Sequence, residues 1–451
     1  MRKILLFSLL AALFLGACTP AQKTETAPAN PLEWSNDAVM YEVNVRQYTP
    51  EGTFNAFANH LPRLKELGVE ILWFMPIHPI GEKNRKGSLG SYYSIRDYKA
   101  VNPEFGTMKD FKALVNKAHE MGFKVIIDCV ANHSAFDNVW TESHKDWYTQ
   151  DSLGNIIPPV ADWSDVADLN YDNTEMRAAM LDAMKFWVAE AGIDGYRCDY
   201  AGGVPTDFWE TARVALDSIK PVFMLAENED ALDLLNAAFE CNYGWTVHHL
   251  MKEIYEGKKN VTDIQGYFAK ADSTYPAGKY ILNFTSNHDE NSWNGTEYER
   301  LGESVKTYAA LSFVLPGMPL IYTGQEAGLD RRLAFFEKDS INWSKDTSMT
   351  TLYAKLIDLK QENPALWNGA AGGKIQFLQT SEPGKMLAFT REKENNTVLV
   401  LMNLSAVPFN GTVQNVAAKT YTNWFTSENT EVSATAQFEL APWEYKILVS
   451  K

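Results

Sequence analysis

The chain has 451 residues, enough for one large domain with a smaller one beside it. Hydrophobic residues make up 45% and charged residues 22%, the balance of a soluble globular protein. Acidic side chains number 57 against 41 basic ones, and the resulting charge of −16 repels phosphates, which excludes nucleic acid and a basic membrane-binding face but is neutral toward an uncharged substrate.

The first element is a leader. Arg2-Lys3 supplies a positive start, residues 4–15 form a short apolar run, and small residues follow, so residues 1–17 read as a targeting segment too short to span a membrane. Leu15-Gly16-Ala17-Cys18 resembles the bacterial lipobox. That resemblance implies a lipidated Cys18 and an outer-membrane lipoprotein of the cell envelope, touching the membrane through its lipid only. A plain leader with an incidental cysteine is the alternative. Residues 18–33, rich in Ala, Thr and Pro, read as a disordered tether.

From about residue 38, short apolar runs alternate with amphipathic stretches. Strands are predicted at 39–45, 69–75, 123–128, 195–199, 222–226, 238–241, 280–286 and 319–323. Helical patterns cover 54–67, 108–121, 174–191, 206–219 and 298–315, and a further helix is expected at 351–362. This alternation predicts an α/β fold, a (β/α)8 TIM barrel over 34–365, with a doubly wound open sheet as the alternative. Residues 134–173, between the third strand and the next helix, lack helical period but carry Trp140, Trp147 and Trp163. An insertion of that size on the C-terminal face of a barrel reads as functional. Residues 366–451 change character: the short runs 374–378, 386–390, 397–401 and 445–449 predict a C-terminal antiparallel β-sandwich. Cys129, Cys198 and Cys241 show no paired spacing and read as core thiols.

Polar residues at the C-terminal ends of barrel strands are costly to bury and therefore mark a task. Four strand ends carry them. They are Asp128-Cys129-Val130-Ala131-Asn132-His133, Gly195-Tyr196-Arg197-Cys198-Asp199, Leu225-Ala226-Glu227-Asn228 and Ser286-Asn287-His288-Asp289. In this order and spacing they resemble the four signature regions of the α-amylase family of glycoside hydrolases. The stretches 39–43, 90–98 and 317–326 are similar to that family's first strand, the loop after its second strand and its eighth strand, so the likeness covers roughly residues 38 to 345.

Retaining cleavage of a glycosidic bond needs two carboxyl groups roughly 5 Å apart, one ionised as nucleophile and one protonated as acid. Asp199 suits the first role, because Arg197, two residues earlier on the same strand, favours its charged form. Glu227 suits the second, since neighbouring carboxylates raise its proton affinity. The resemblance implies that Asp289 is the third catalytic carboxylate, and that His133 and His288 donate to sugar hydroxyls. It also implies that Tyr93 stacks beneath the sugar, with Arg197 counted among the substrate-side residues. Asp128 is expected to partner Arg197, and Asp97 to position the Tyr93 loop. Glu229, Asp230 and Glu240 are expected near the mouth in solvated or structural roles.

The resemblance also implies a structural calcium held by Asn132 and Asp168, and no organic cofactor. Here the sequence departs from the family. After the nucleophile it reads Tyr200-Ala201-Gly202-Gly203, where many members carry Lys-His and use the His carbonyl for the ion. Gly203 could still supply a carbonyl, but the side chains that would contact leaving-group sugars are missing. The expected activity is α-amylase-like hydrolysis, mainly of α-1,4 bonds in starch and maltodextrins. Neopullulanase, cyclomaltodextrinase, oligo-1,6-glucosidase or glucanotransferase action within the family remains open. A non-catalytic glycan-binding protein is disfavoured because all three carboxylates are present.

Overall fold

The computed structural model describes residues 32–344 and 346–451. The leader, the lipobox residue Cys18 and the tether up to residue 31 lie outside the described residues. Leu32 is already buried and Glu33–Ser35 forms a 3-10 turn, so the folded part takes in the end of the segment expected to be tether. Among the described residues no helix is long and apolar enough to cross a membrane.

Eight parallel strands close into a barrel: β1 (Met40–Val43), β2 (Ile71–Phe74), β3 (Lys124–Cys129), β4 (Gly195–Cys198), β5 (Phe223–Ala226), β6 (Cys241–Tyr243), β7 (Tyr280–Asn283) and β8 (Met318–Tyr322). Their order round the barrel is their order in the chain. Side chains alternate with the period of two that a strand imposes. Tyr41, Leu72, Phe74, Ile127, Tyr196 and Cys198 pack outward against the helices, whereas Met40, Ile71, Trp73 and Ile126 fill the interior. Glu42, Trp73, Asp128 and Arg197 share the inward parity, which sets four polar groups in the upper layers of an apolar barrel.

The expected elements recur with informative differences. The sixth strand begins where it was expected to end, because Leu234–Ala237 is a short helix and only Cys241–Tyr243 pairs with its neighbours. Glu240 therefore stands before that strand and not near the mouth; it accepts from Met224 N at 2.9 Å and pairs with Arg213. The pattern at 54–67 divides into Phe54–Ala58 and Leu61–Leu67, with Pro62 in the first turn of the second helix, where its missing N–H costs nothing. The pattern at 298–315 breaks at Gly302 (φ 49°, ψ −126°). Cys129 and Cys198, distant in sequence, are register partners on β3 and β4; all three described cysteines are buried and free.

The insertion after β3 is not structureless. His133–Ala135 pairs antiparallel with Val166–Asp168, so the motif histidine sits on a small sheet at the mouth. Trp140 stacks on Tyr98 and meets Trp147 edge-on, a packing role, while Trp163 reaches His133 and Tyr200. The C-terminal unit is the expected antiparallel sandwich, a six-stranded sheet against a three-stranded one. Met386, Ala388, Leu399 and Leu401 face the small sheet, and Leu387, Phe389, Val398 and Val400 join the barrel's outer core.

Candidate active site

The site is assembled around a cation. Arg197, on β4, is completely buried, which costs several kcal/mol unless its donors are matched by anions. Its Nη1 donates to Asp128 Oδ1 and to Asp199 Oδ1, both at 2.9 Å. Nη2 lies 2.9 Å from Glu227 Oε1, and Nε donates to Tyr243 Oη at 3.1 Å. The rings of Trp73, Tyr93 and Tyr243 surround the guanidinium at 5.1, 5.7 and 5.5 Å. Arg197 was expected on the substrate side; with no exposed surface it cannot reach a substrate and instead positions three carboxylates. Asp128 is its partner as expected, and also accepts from Trp73 Nε1 and Tyr93 Oη.

Exposure grades the three motif carboxylates. The side chain of Asp199 is 11% exposed, that of Glu227 17% and that of Asp289 39%. Backbone bonds hold the first two on adjacent strand ends: Asp199 N donates to Cys129 O at 2.9 Å and Glu227 N to Cys198 O at 3.0 Å. Burial raises the Asp199 carboxyl above the ordinary aspartate range; Arg197 opposes this and Asp128 and Asp289 reinforce it. Arg197 therefore limits the rise without reversing it. Glu227 is also raised, by burial first and by the Asp199 and Asp289 charges second, against Arg197. The neighbouring carboxylates are thus the lesser cause of its proton affinity.

The two histidines, expected to act alike, differ. Burial lowers His133 to about 4, so it is neutral; its Nε2 lies 3.9 Å from Asp199 Oδ2. Burial also pulls His288 down, but Asp289 and Glu42 outweigh it and carry the imidazole up to about 9. The charged ring pairs with Glu42 through Nδ1 and donates from Nε2 to Tyr93 Oη at 2.8 Å. Tyr93 stacks on it at 5.2 Å. Glu42, His288, Tyr93, Asp128, Arg197 and Asp199 thereby form one continuous chain of polar contacts. Asp289, at the rim, is 3.4 Å from His288 Nε2 and accepts from Trp293 Nε1 at 3.2 Å.

Sequence reasoning passed over Glu42, Trp73, Tyr243 and Trp293. The inward parity of Glu42 and Trp73 beside outward Tyr41 and Leu72 was the available signal for the first two. Glu229 is structural as expected, accepting from Thr246 N and Tyr267 Oη. Asp97 accepts from Lys99 N within its own turn. For a metal, Asn132 Oδ1 lies against Gly203, where an added Cβ would stand 2.5 Å from it. Burial raises the Asp168 carboxyl against the opposing influence of Thr149 and His133. Among the described residues no group of three or more His, Cys, Asp or Glu side chains could hold an ion, so one here would rest on amide and backbone oxygens plus Asp168.

Residues 33–160 and 160–397 match the model of the alpha amylase catalytic domain, and residues 375–447 match the maltogenic amylase C-terminal domain. The chain is similar to the crystal structure of a noncanonic maltogenic alpha-amylase from Thermotoga neapolitana, with 30% identity, a TM-score of 0.84, and coverage of 92% of this chain and 98% of that one. It is 28% identical to an alpha-amylase from Haloarcula japonica over 87% of its length, and spans 58% of that relative. A cyclomaltodextrinase from a Bacillus species is 26% identical over 83% of the chain, which spans 74% of that protein. With the catalytic-domain match running through every strand end described above, the chain belongs to the α-amylase family of glycoside hydrolases.

Proposed function

We propose that the protein is a retaining hydrolase of α-glucosidic bonds, mainly α-1,4, acting on starch, maltodextrins and related α-glucans. The observation that carries this reading is that Asp199 and Glu227 both contact the guanidinium of one buried arginine, with Asp289 on the rim above them. Asp199, ionised, attacks the anomeric carbon; Glu227, protonated, gives its proton to the departing glycosidic oxygen. A covalent glycosyl-enzyme forms, and the Glu227 carboxylate then takes a proton from the water that releases the sugar. Asp289, fixed by Trp293 and His288, meets the sugar's hydroxyls and the positive charge of the transition state. Asp199→Asn is expected to abolish release of reducing ends from maltoheptaose while substrate binding, measured by calorimetry, survives. Retained turnover would show that the nucleophile is misassigned.

Cyclomaltodextrinase, neopullulanase, oligo-1,6-glucosidase or glucanotransferase action would use the same three carboxylates; a product profile on starch, pullulan and cyclodextrin separates them. A structural calcium held by Asn132, Asp168 and the Gly203 carbonyl belongs to the same proposal, supported by the closeness of Asn132 Oδ1 to Gly203. No catalytic step runs through it. Chelation should lower Tm and added calcium restore it, with Asp168→Ala erasing the difference; a Tm indifferent to chelator would discard the ion. We also propose an envelope lipoprotein anchored through Cys18. Partition of the expressed protein into detergent, lost in Cys18→Ala, tests it, and an aqueous wild type refutes it.

A further inference from the structure

The residue after the nucleophile is held in an unusual way. Tyr200 has φ 43° and ψ 48°, the left-handed region that a bulky residue occupies only where its surroundings hold it there against the strain. Three contacts impose it here. The Tyr200 N–H donates to Glu227 Oε2 at 2.8 Å. Its ring meets Trp163 edge-on at 5.4 Å between centroids. Gly203 leaves the space the ring lies over: a Cβ there would stand 2.5 Å from Cδ1 and Cε1 of Tyr200. The residue is nonetheless 43% exposed in the mouth of the barrel. A large aromatic, strained, cradled by a glycine and left open to solvent beside the acid, has no packing purpose that accounts for all four features.

We propose that Tyr200, backed by Trp163, is the platform for the leaving-group sugar and at the same time positions the acid. The side follows from geometry: Glu227 protonates the departing oxygen, and the Tyr200 N–H is tied to Glu227 at 2.8 Å. The Tyr200 N–H bond to Oε2 and the Arg197 guanidinium beside Oε1 fix the orientation of the Glu227 carboxyl between them. The ring offers an apolar face to the C–H face of a pyranose. This explains the sequence departure at Gly202-Gly203. Gly203 makes room for the tyrosine, so an aromatic face replaces the polar side chains that other members project from this turn. The ligand is the reducing-side portion of an α-glucan, or an acceptor sugar entering after the first product leaves.

The inference rests on the hydrolase reading, and the test separates the two. Maltoheptaose is compared with α-maltosyl fluoride, whose leaving group needs neither a sugar platform nor a proton from Glu227. Tyr200→Ala is expected to lower kcat/KM on maltoheptaose about tenfold or more while maltosyl fluoride changes less than about twofold. Tyr200→Phe should behave as the wild type on both. In the presence of excess maltose, the ratio of transfer to hydrolysis should fall in Tyr200→Ala by a similar factor. Equal losses on both substrates would make Tyr200 a structural residue and overturn the proposal, as would an unchanged rate on maltoheptaose. A wild type inert on both substrates would instead overturn the hydrolase reading on which the proposal stands.

Discussion

At the scale of single residues, the site is a set of charges that tune one another through burial. His288 shows this most directly, because its partners Glu42 and Asp289 hold it charged well above neutrality. Its pKa in the fold, about 9, exceeds the unfolded value of 6.5, so the stabilisation it brings is complete below 6.5 and is lost as pH rises through 9. Glu42→Gln removes one of those partners. The Tm of the wild type should fall more steeply than that of the variant between neutral pH and about 10. At pH 7 the variant should also lose about tenfold in kcat/KM, because His288 Nδ1 loses the carboxylate that fixes the ring against Tyr93. Parallel Tm curves would mean that Glu42 does not hold the charge. Burial raises Asp199 too, and here the readout is activity: the nucleophile must be ionised, so kcat/KM should keep rising with pH beyond about 4, where an ordinary aspartate is half ionised. The three carboxylates were legible because they end apolar runs. Glu42 was not, because it lies inside one: its inward parity was readable, but the polar partners that give it a task come from other strands.

At the scale of elements, the barrel depends on close backbone approaches that a sequence signals only as glycine. Gly195 opens β4 with φ +154°, and a Cβ there would stand 1.9 Å from the carbonyl oxygen of Phe223 on β5. The strand that carries Arg197 and leads into Asp199 can lie against the strand that leads into Glu227 only because this residue has no side chain. Gly195→Ala is expected to cost on the order of 4 kcal/mol or more and to remove soluble protein on expression, since the clash is with backbone and cannot be relieved by a rotamer. A soluble variant with wild-type Tm would show that the two strands tolerate separation. Seven of the eight strands were legible as apolar runs near their true positions. The sixth was misplaced because Ala238 and Phe239 are as apolar as any strand but follow a short helix, and the three residues that pair include Asn242. The insertion after β3 was legible as functional from its length and tryptophans. Which of those rings reaches the mouth depends on the pairing of His133–Ala135 with Val166–Asp168, and no periodicity announces a three-residue strand.

At the scale of the whole molecule, the question is whether the barrel and the sandwich are independent. Arg391, on the sandwich strand Met386–Lys393, is buried with no carboxylate paired to it among the described residues, and burial depresses it to about 9. Its donors go to the carbonyls of Val314 and Leu315 at the end of a barrel helix, and to those of Gly373, Leu366 and Trp367. A cation at the negative end of a helix is favourable, and it satisfies carbonyls that the helix leaves unpaired. Lys360 does the same for the Gly317 and Leu366 carbonyls. Around these bonds the apolar face of the six-stranded sheet is continuous with the barrel's outer core, Phe389, Val400 and Ile447 lying in one cluster with Tyr308 and Val314. Two parts that share both a core and buried donors cannot unfold separately without stranding each other's carbonyls. Calorimetry of the chain should therefore give one cooperative transition, lowered but still single in Arg391→Met, and a chain ended at residue 366 should be insoluble. Two separated transitions in the wild type would show instead that the sandwich is a passenger on an independently stable barrel.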